Sequence, residues 1–265
     1  MFGRCAASSG GEVSGLSAID LLALVAAALL VGFAKTAIGG VAAVSVALFA
    51  AVLPARESTG ALLPLLLVGD LVAVHAYRRH ADWPVLLRLL PAVAVGVIGG
   101  SVFVARVDDT VMRRTIGAVL LVLVAVHLWL RRRTRVEGVS VPGGESIGAR
   151  HVTAVTFGLL AGFTTMVANA GGAVMSLYLL SAGLSVLGFL GTGAWFFLLV
   201  NAFKVPFSVG LGLLTAESLS LNAALAPAVL VGAAIGRICI HRLDQSRFEL
   251  LVIVFTVASS LNLLR

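Results

Sequence analysis

The chain has 265 residues, 60% of them hydrophobic and only 12% charged, against roughly 25% charged in an ordinary soluble domain. A globule that apolar lacks the polar surface to stay dissolved, so the composition excludes a water-soluble enzyme and calls for lipid around helices that are hydrophobic on every side. The formal charge of +7 does not signal nucleic acid, because the basic residues sit in short clusters between apolar runs, where they act as topology signals.

Residues 1–17 form a short polar tail rich in Gly and Ser. The apolar run that follows is long and leads into further runs, which marks a retained first helix and not a cleaved leader. Runs able to cross a bilayer, or half of one, extend from Leu16 to Ala34, Val41 to Leu53, Thr59 to Tyr77, Pro84 to Ala105 and Val111 to Leu130. A segment rich in Arg, Gly and Glu (131–150) separates them from a second set: Val152 to Val167, Ala173 to Leu184, Leu187 to Phe203, Leu219 to Ile240 and Phe248 to Leu264. Several are shorter than the ~20 residues of a straight spanning helix and read as half-helices. The expected fold is therefore an all-α integral membrane protein with eight to ten transmembrane or half-spanning helices. Cys5 and Cys239 are far apart, with no His or Cys at metal spacing nearby, so neither a disulfide framework nor a zinc site is indicated.

The two sets resemble copies of each other. Thr59-Gly60-Ala61 matches Thr192-Gly193-Ala194, Pro91 to Gly96 matches Pro227 to Gly232, and Arg106-Val107-Asp108 matches Arg242-Leu243-Asp244. Gly32-Phe33 followed by Gly39-Gly40 matches Gly162-Phe163 followed by Gly171-Gly172, with two extra residues in the second copy. Four matches in the same order indicate duplication. Five crossings between equivalent points, an odd number, require the copies (18–130 and 151–265) to be inverted, a recurring plan of secondary transporters. Placing the 131–150 segment in the cytoplasm puts twelve of the nineteen basic residues inside, as the positive-inside bias favours. Arg106, Arg113 and Arg114 then lie on the opposite side.

Lys35 and Lys204 are the only lysines. Lys35 lies in the stretch Gly32 to Gly40, where glycines weaken the helix and an interruption frees backbone N–H groups at the start of the next half-helix. Those groups, the positive end of the helix dipole and the ammonium all attract an anion. The second half offers Thr164, Thr165, Asn169, Gly171 and Gly172 at the matching break, with Lys204 three residues after Asn201 and on the same helical face. A lysine at the end of an apolar run also has a plainer use, snorkelling to the headgroups, and paired glycines also permit close helix packing. That both lysines fall beside interruptions in corresponding halves favours a site. Asp70, inside an apolar run, costs at least ~2.5 kcal/mol unless paired or protonated. It can neutralise a lysine, carry a coupling proton or bond a neighbouring helix. Trp195, Phe196 and Phe197 read as packing or lipid contacts, with Trp195 near Thr192 placed to line a cavity. His75 and His127 read as interfacial, and Glu217-Ser218 as a helix cap. Nucleophile elbows, zinc-protease helices and Walker loops are missing, which argues against an enzyme or an ATP-driven pump.

These motifs are similar to the TauE/SafE family of membrane permeases, the sulfite exporter or toluene-sulfonate uptake group. The resemblance rests on the Gly32 to Gly40 stretch, Gly69-Asp70 with "YRRHADW" (Tyr77 to Trp83), "AGFTTMVANAGG" with "SLYLL" (Ala161 to Leu180), "GTGAWFFLLVNAFKVPF" (Gly191 to Phe207) and Glu217-Ser218-Leu219. Where the family's glycine motifs commonly continue with proline, this chain has Ala173. The resemblance implies transport of small, often sulfur-containing anions across a bacterial plasma membrane without ATP. The expectation is a multi-pass secondary transporter without cofactor, its halves rocking around a midplane anion site. Lys35 and Lys204 would supply charge; Thr36, Thr165 and Asn169 hydrogen bonds; Gly39, Gly40, Gly171 and Gly172 backbone N–H groups. Thr192, Trp195 and Asn201 would line the site, and Asp70 would couple transport to a proton or cation. The partners expected are a small anionic substrate and membrane lipid; an anion channel and a membrane assembly protein are the other readings.

Overall fold

In the computed structural model the described residues are 17–37, 42–137, 147–182, 184–239 and 257, and they are helical apart from short connections. The helices are α1 (Ala18–Thr36), α2 (Ala42–Val52), α3 (Ala55–Tyr77), α4 (Trp83–Arg106), α5 (Asp109–Glu137), α6 (Ile147–Ala168), α7 (Gly171–Ser181), α8 (Val186–Gly210) and α9 (Ala216–Cys239). A 3-10 turn, Arg78–His80, joins α3 to α4. Six of them, α1, α3, α4, α6, α8 and α9, are long and apolar enough to cross a membrane, whereas α2 and α7, 11 residues each, reach only ~16 Å. The chain is an all-helical membrane protein. The apolar run Phe248 to Leu264, apart from residue 257, and the glycines Gly39 and Gly40 lie outside the described residues.

Side chains set the helix starts. Ser17 and Asp20 form a reciprocal capping box on α1, the Asp82 carboxylate accepts the Val85 N–H at 3.0 Å to open α4, and Ser185 caps α8 through Gly188. Each cap satisfies N–H groups that a helix start leaves without partners. The ends differ from expectation in two places. Helix α5 continues past Leu130 through Arg131, Arg132, Arg133 and Arg135 to Glu137, since arginine is a good helix former and favours the negative end of the dipole. Helix α8 runs through Lys204 and Pro206 to Gly210, so Lys204 is inside a helix and not at an interruption. Proline is tolerated in membrane helices because neighbouring groups take over the freed carbonyl.

Two large hydrophobic clusters, beside a small third one of Ala73, Val74 and Ala194, divide the described residues. One gathers α1, α2, α3, α5 and α9 around Leu24, Val31, Phe49, Leu65, Ile116 and Val229. The other gathers α4, α6, α7 and α8 around Leu89, Val97, Met166, Met175 and Phe196. Each sequence half thus lends its fourth helix to the other's cluster. Glycines make the two crossings that do this. A Cβ at Gly32 would overlap the Val229 carbonyl and Ala233 nitrogen, and one at Gly232 the Leu29 carbonyl. A Cβ at Gly162 would overlap the Val93 carbonyl and Val97 nitrogen, and one at Gly96 the Leu159 carbonyl. Only glycine permits backbones this close.

The pairings also fix direction. Along α1 and α9, Leu29 faces Gly232 and Thr36 faces Gly236, and along α6 and α4, Gly158 faces Ala92 and Met166 faces Gly100; both pairs run parallel. Helices α3 and α8 are antiparallel, with Gly60 against Leu213, Asp70 against Asn201 and the Tyr77 carbonyl against Gly191.

Candidate functional site

The site lies where the two clusters meet. Lys35 sits in the last turn of α1, and its stem crosses α3 at Gly69, where a Cβ would come within 2.9 Å of the lysine Cγ. The glycine therefore leaves room for the chain to lie flat and reach the next residue. There the Lys35 ammonium meets the Asp70 carboxylate at 2.6 Å, the lysine side chain 9% exposed and the aspartate 0%. The Phe197 ring of α8 lies 4.2 Å from the same ammonium, a cation–π contact that desolvation strengthens.

The other Asp70 oxygen accepts a hydrogen bond from the Asn201 amide at 2.7 Å. One turn further along α8, the Lys204 ammonium, fully enclosed, donates to the Thr165 carbonyl at 2.7 Å and to the Asn169 side-chain oxygen at 2.5 Å. The Thr165 hydroxyl and the Asn201 oxygen complete its surroundings at 3.5 Å. An ammonium has three protons to place, and here each finds an oxygen. Asn169 turns its amide to the Thr59 carbonyl on α3 at 2.9 Å. Lys35, Asp70, Asn201, Lys204, Asn169 and Thr59 thus form one chain of polar contacts from α1 to α3 through α8 and the α6–α7 break.

The break itself is made by Asn169, at φ 48°, in the left-handed region that asparagine visits more readily than other residues with a Cβ. Its backbone leaves the Thr165 carbonyl at the C-terminal, electronegative end of α6 facing α8. Lys204 neutralises that end. The sequence suggests ammonium groups beside positive helix starts; instead Lys204 reaches sideways from α8 to a helix finish, and Lys35 also belongs to a final turn. Burial of a charge at membrane depth requires such paired partners.

Of the residues expected at the site, Lys35, Asp70, Thr165, Asn169, Asn201 and Lys204 come together. Gly171 packs against the Thr165 side chain, and Gly172 approaches the Phe197 ring, which brings the start of α7 near Lys35. Thr36 does not turn toward the lysines. Its hydroxyl donates to the Ala233 carbonyl at 2.9 Å, because it lies on the α1 face that crosses α9. Thr192 is engaged at the α3–α4 turn, where its hydroxyl oxygen accepts the Asp82 N–H at 2.8 Å. Trp195 stacks on Trp83, ring centroids 5.2 Å apart, at the same end. Phe197, which reads from the sequence as a packing or lipid contact, and Thr59, which the sequence marks only as part of a repeat match, also belong to the network. Phe197 is four residues before Asn201 and seven before Lys204, so the helical period already places it on their face; Thr59 meets Asn169 through its carbonyl, which carries no sequence signal, while its hydroxyl donates to the Val167 carbonyl at 3.3 Å.

Fold and centre together define a polytopic helical membrane protein with an ionisable core shared between two helix clusters. The chain belongs to the sulfite exporter TauE/SafE family, whose model matches residues 24–263. No curated protein and no solved structure matches it. The family is one of membrane transporters.

Proposed function

We propose that this chain is a secondary transporter that moves small anions, sulfite or an organosulfonate first among them, across a bacterial plasma membrane by alternating access. One observation carries the reading: in the buried contact between the helix clusters Lys35 pairs with Asp70, and Lys204, bonded to neutral oxygens, is linked to the same carboxylate through Asn201. With both lysines protonated the centre carries one positive charge in excess, and in a medium of low dielectric that excess attracts a monoanion far more strongly than water would allow. Asp70 serves as an internal stand-in for that anion. A substrate arriving at Lys35 would compete with the carboxylate, and a proton on Asp70 would release the lysine, which is how coupling enters.

The inverted repeat belongs to the same proposal. In its support, the contacts of Gly32 with Val229 and Ala233 have counterparts in those of Gly162 with Val93 and Val97, the equivalents by the Pro91 to Gly96 and Pro227 to Gly232 match. Equivalent helices also run in opposite directions, α3 against α8 among them. Two such moieties can rock about the shared charged contact.

The test is uptake by proteoliposomes. With the wild-type chain, sulfite or a sulfonate accumulates against its gradient when a proton gradient is imposed; K35M and K204M each lose at least about tenfold of the rate, a loss of ~1.4 kcal/mol or more in transition-state stabilisation. Full transport by both variants would remove the site. Equilibration without accumulation would make the protein an anion channel.

A further inference from the structure

Away from the lysines, a groove of about 710 Å³ opens between α5, α6 and α7. It follows α5 from Val111 to Val126, with Phe157 and Leu160 of α6 and Leu177 of α7 as its other wall. Fifteen residues of helix measure ~22 Å, more than the ~15 Å depth of one leaflet's hydrocarbon. Its two threonines are turned back on their own helices, the Thr115 hydroxyl donating to the Val111 carbonyl at 2.8 Å and the Thr164 hydroxyl to the Leu160 carbonyl at 2.7 Å. The wall is therefore hydrocarbon in effect and offers a small polar anion nothing. At the end nearest the start of α5 stands its single charged residue, Arg114, exposed and without a carboxylate partner among the described residues.

That arginine is also one of three, with Arg106 and Arg113, that the positive-inside bias does not place on this membrane face. A groove apolar for its length and cationic at the headgroup level matches a ligand with a long tail and an anionic head. We infer that the α5–α6–α7 groove is a binding site for one anionic phospholipid, its acyl chain against Phe157, Leu160 and Leu177 and its phosphate on Arg114. The charge complementarity is what separates this from the lipid contact that any apolar helix makes, and it accounts for an arginine on the disfavoured side. The bound chain would press on α7 and on the α6 turn at Thr164, next to the Thr165 carbonyl that holds Lys204, so lipid composition should influence transport.

The purified full chain, stripped in neutral detergent, is offered phosphatidylglycerol or phosphatidylcholine with identical acyl chains, and retained lipid is counted by native mass spectrometry. The wild-type chain is expected to retain one phosphatidylglycerol at least tenfold more readily than phosphatidylcholine. R114Q should bring the two to parity, and V122W, which fills the groove, should lower retention of both. R79Q, at the opposite membrane face, is the control and should leave the preference intact. Thermal unfolding of each variant without lipid establishes that it is folded. Equal retention of the two lipids by the wild-type chain, or an undiminished preference in R114Q, would overturn the assignment.

Discussion

Asp70 pairs with Lys35 directly and meets Lys204 only through Asn201, and the arithmetic of charge orders the effect of removing each member. Lys204→Met leaves the Lys35–Asp70 pair intact and strips the donor from the Asn169 side-chain oxygen, which costs ~1–3 kcal/mol for an acceptor left buried and unpaired, while the Thr165 carbonyl keeps the Asn169 backbone N–H. Lys35→Met leaves Asp70 with Asn201 and the more distant Lys204, and breaking a buried pair in this way costs ~3–5 kcal/mol. Asp70→Asn leaves two ammonium groups and no carboxylate, so it is expected to be the most destabilising of the three. Thermal unfolding in detergent checks the order. The K35M/D70N double variant should recover most of the loss of D70N, since it removes the unpaired ammonium at position 35 and leaves only Lys204, which keeps its own oxygen partners; strictly additive losses would mean that the pair contributes nothing as a pair. Millimolar sulfite should stabilise D70N more than the wild-type chain, because the anion takes the vacated place beside Lys35.

At the level of elements, the long spans were legible because a membrane helix announces itself by length and apolarity alone. The end of α8 was not. The apolar run ends at Phe203, with Lys204 beside an interruption, yet the helix passes Lys204 and Pro206, because the charge is met by oxygens from α6 and the α6–α7 break, residues far away in sequence. The lysines themselves were legible as a site by their scarcity, but the oxygen partners that Lys204 finds depend on which helix lies opposite, and no local pattern contains that. Glycine carried two meanings that sequence does not separate: Gly32, Gly96, Gly162 and Gly232 make the helix crossings, whereas Gly69 makes way for a lysine stem. The crossings give a sharp expectation. Gly32→Val and Gly162→Val should each destabilise by about 3 kcal/mol or more, beyond ordinary overpacking because the obstacle is backbone. Gly99→Ala, on the same helix as Gly96 but with nothing within 4 Å, should unfold at the wild-type temperature. At the α6–α7 break, Asn169→Gly keeps the left-handed turn and loses the bridge to Thr59 and Lys204, while Asn169→Ala loses both. The alanine variant should be less stable than the glycine one by ~1–2 kcal/mol, the cost of a Cβ in that conformation, and circular-dichroism melting in detergent would reveal equal stabilities if the backbone there were free to relax.

At the level of the whole molecule, the helix directions divide the connections between two faces. Helices α1 and α9 run parallel, α8 runs against α3, and α6 runs with α4, as their facing residues require. Ser17, Pro54, Asp108 and Thr215 therefore share one face, and Arg79 and Ser185 share the other. The α3–α4 turn and the α8–α9 connection are the equivalent links of the two moieties, so an inverted repeat places them across the membrane from each other. A directly repeated protein would put them on the same side. The arginine distribution assigns the face of Arg79 to the cytoplasm. With Cys5 and Cys239 replaced by serine, single-cysteine variants at Arg79, Ser185, Asp108 and Thr215, all exposed, can be treated with a membrane-impermeant maleimide on intact cells. Asp108→Cys and Thr215→Cys should react at once, and Arg79→Cys and Ser185→Cys only after the membrane is opened. Labelling of Arg79→Cys and Thr215→Cys from the same side would contradict the inverted arrangement, and with it the rocking of two moieties around the Lys35–Asp70–Lys204 centre.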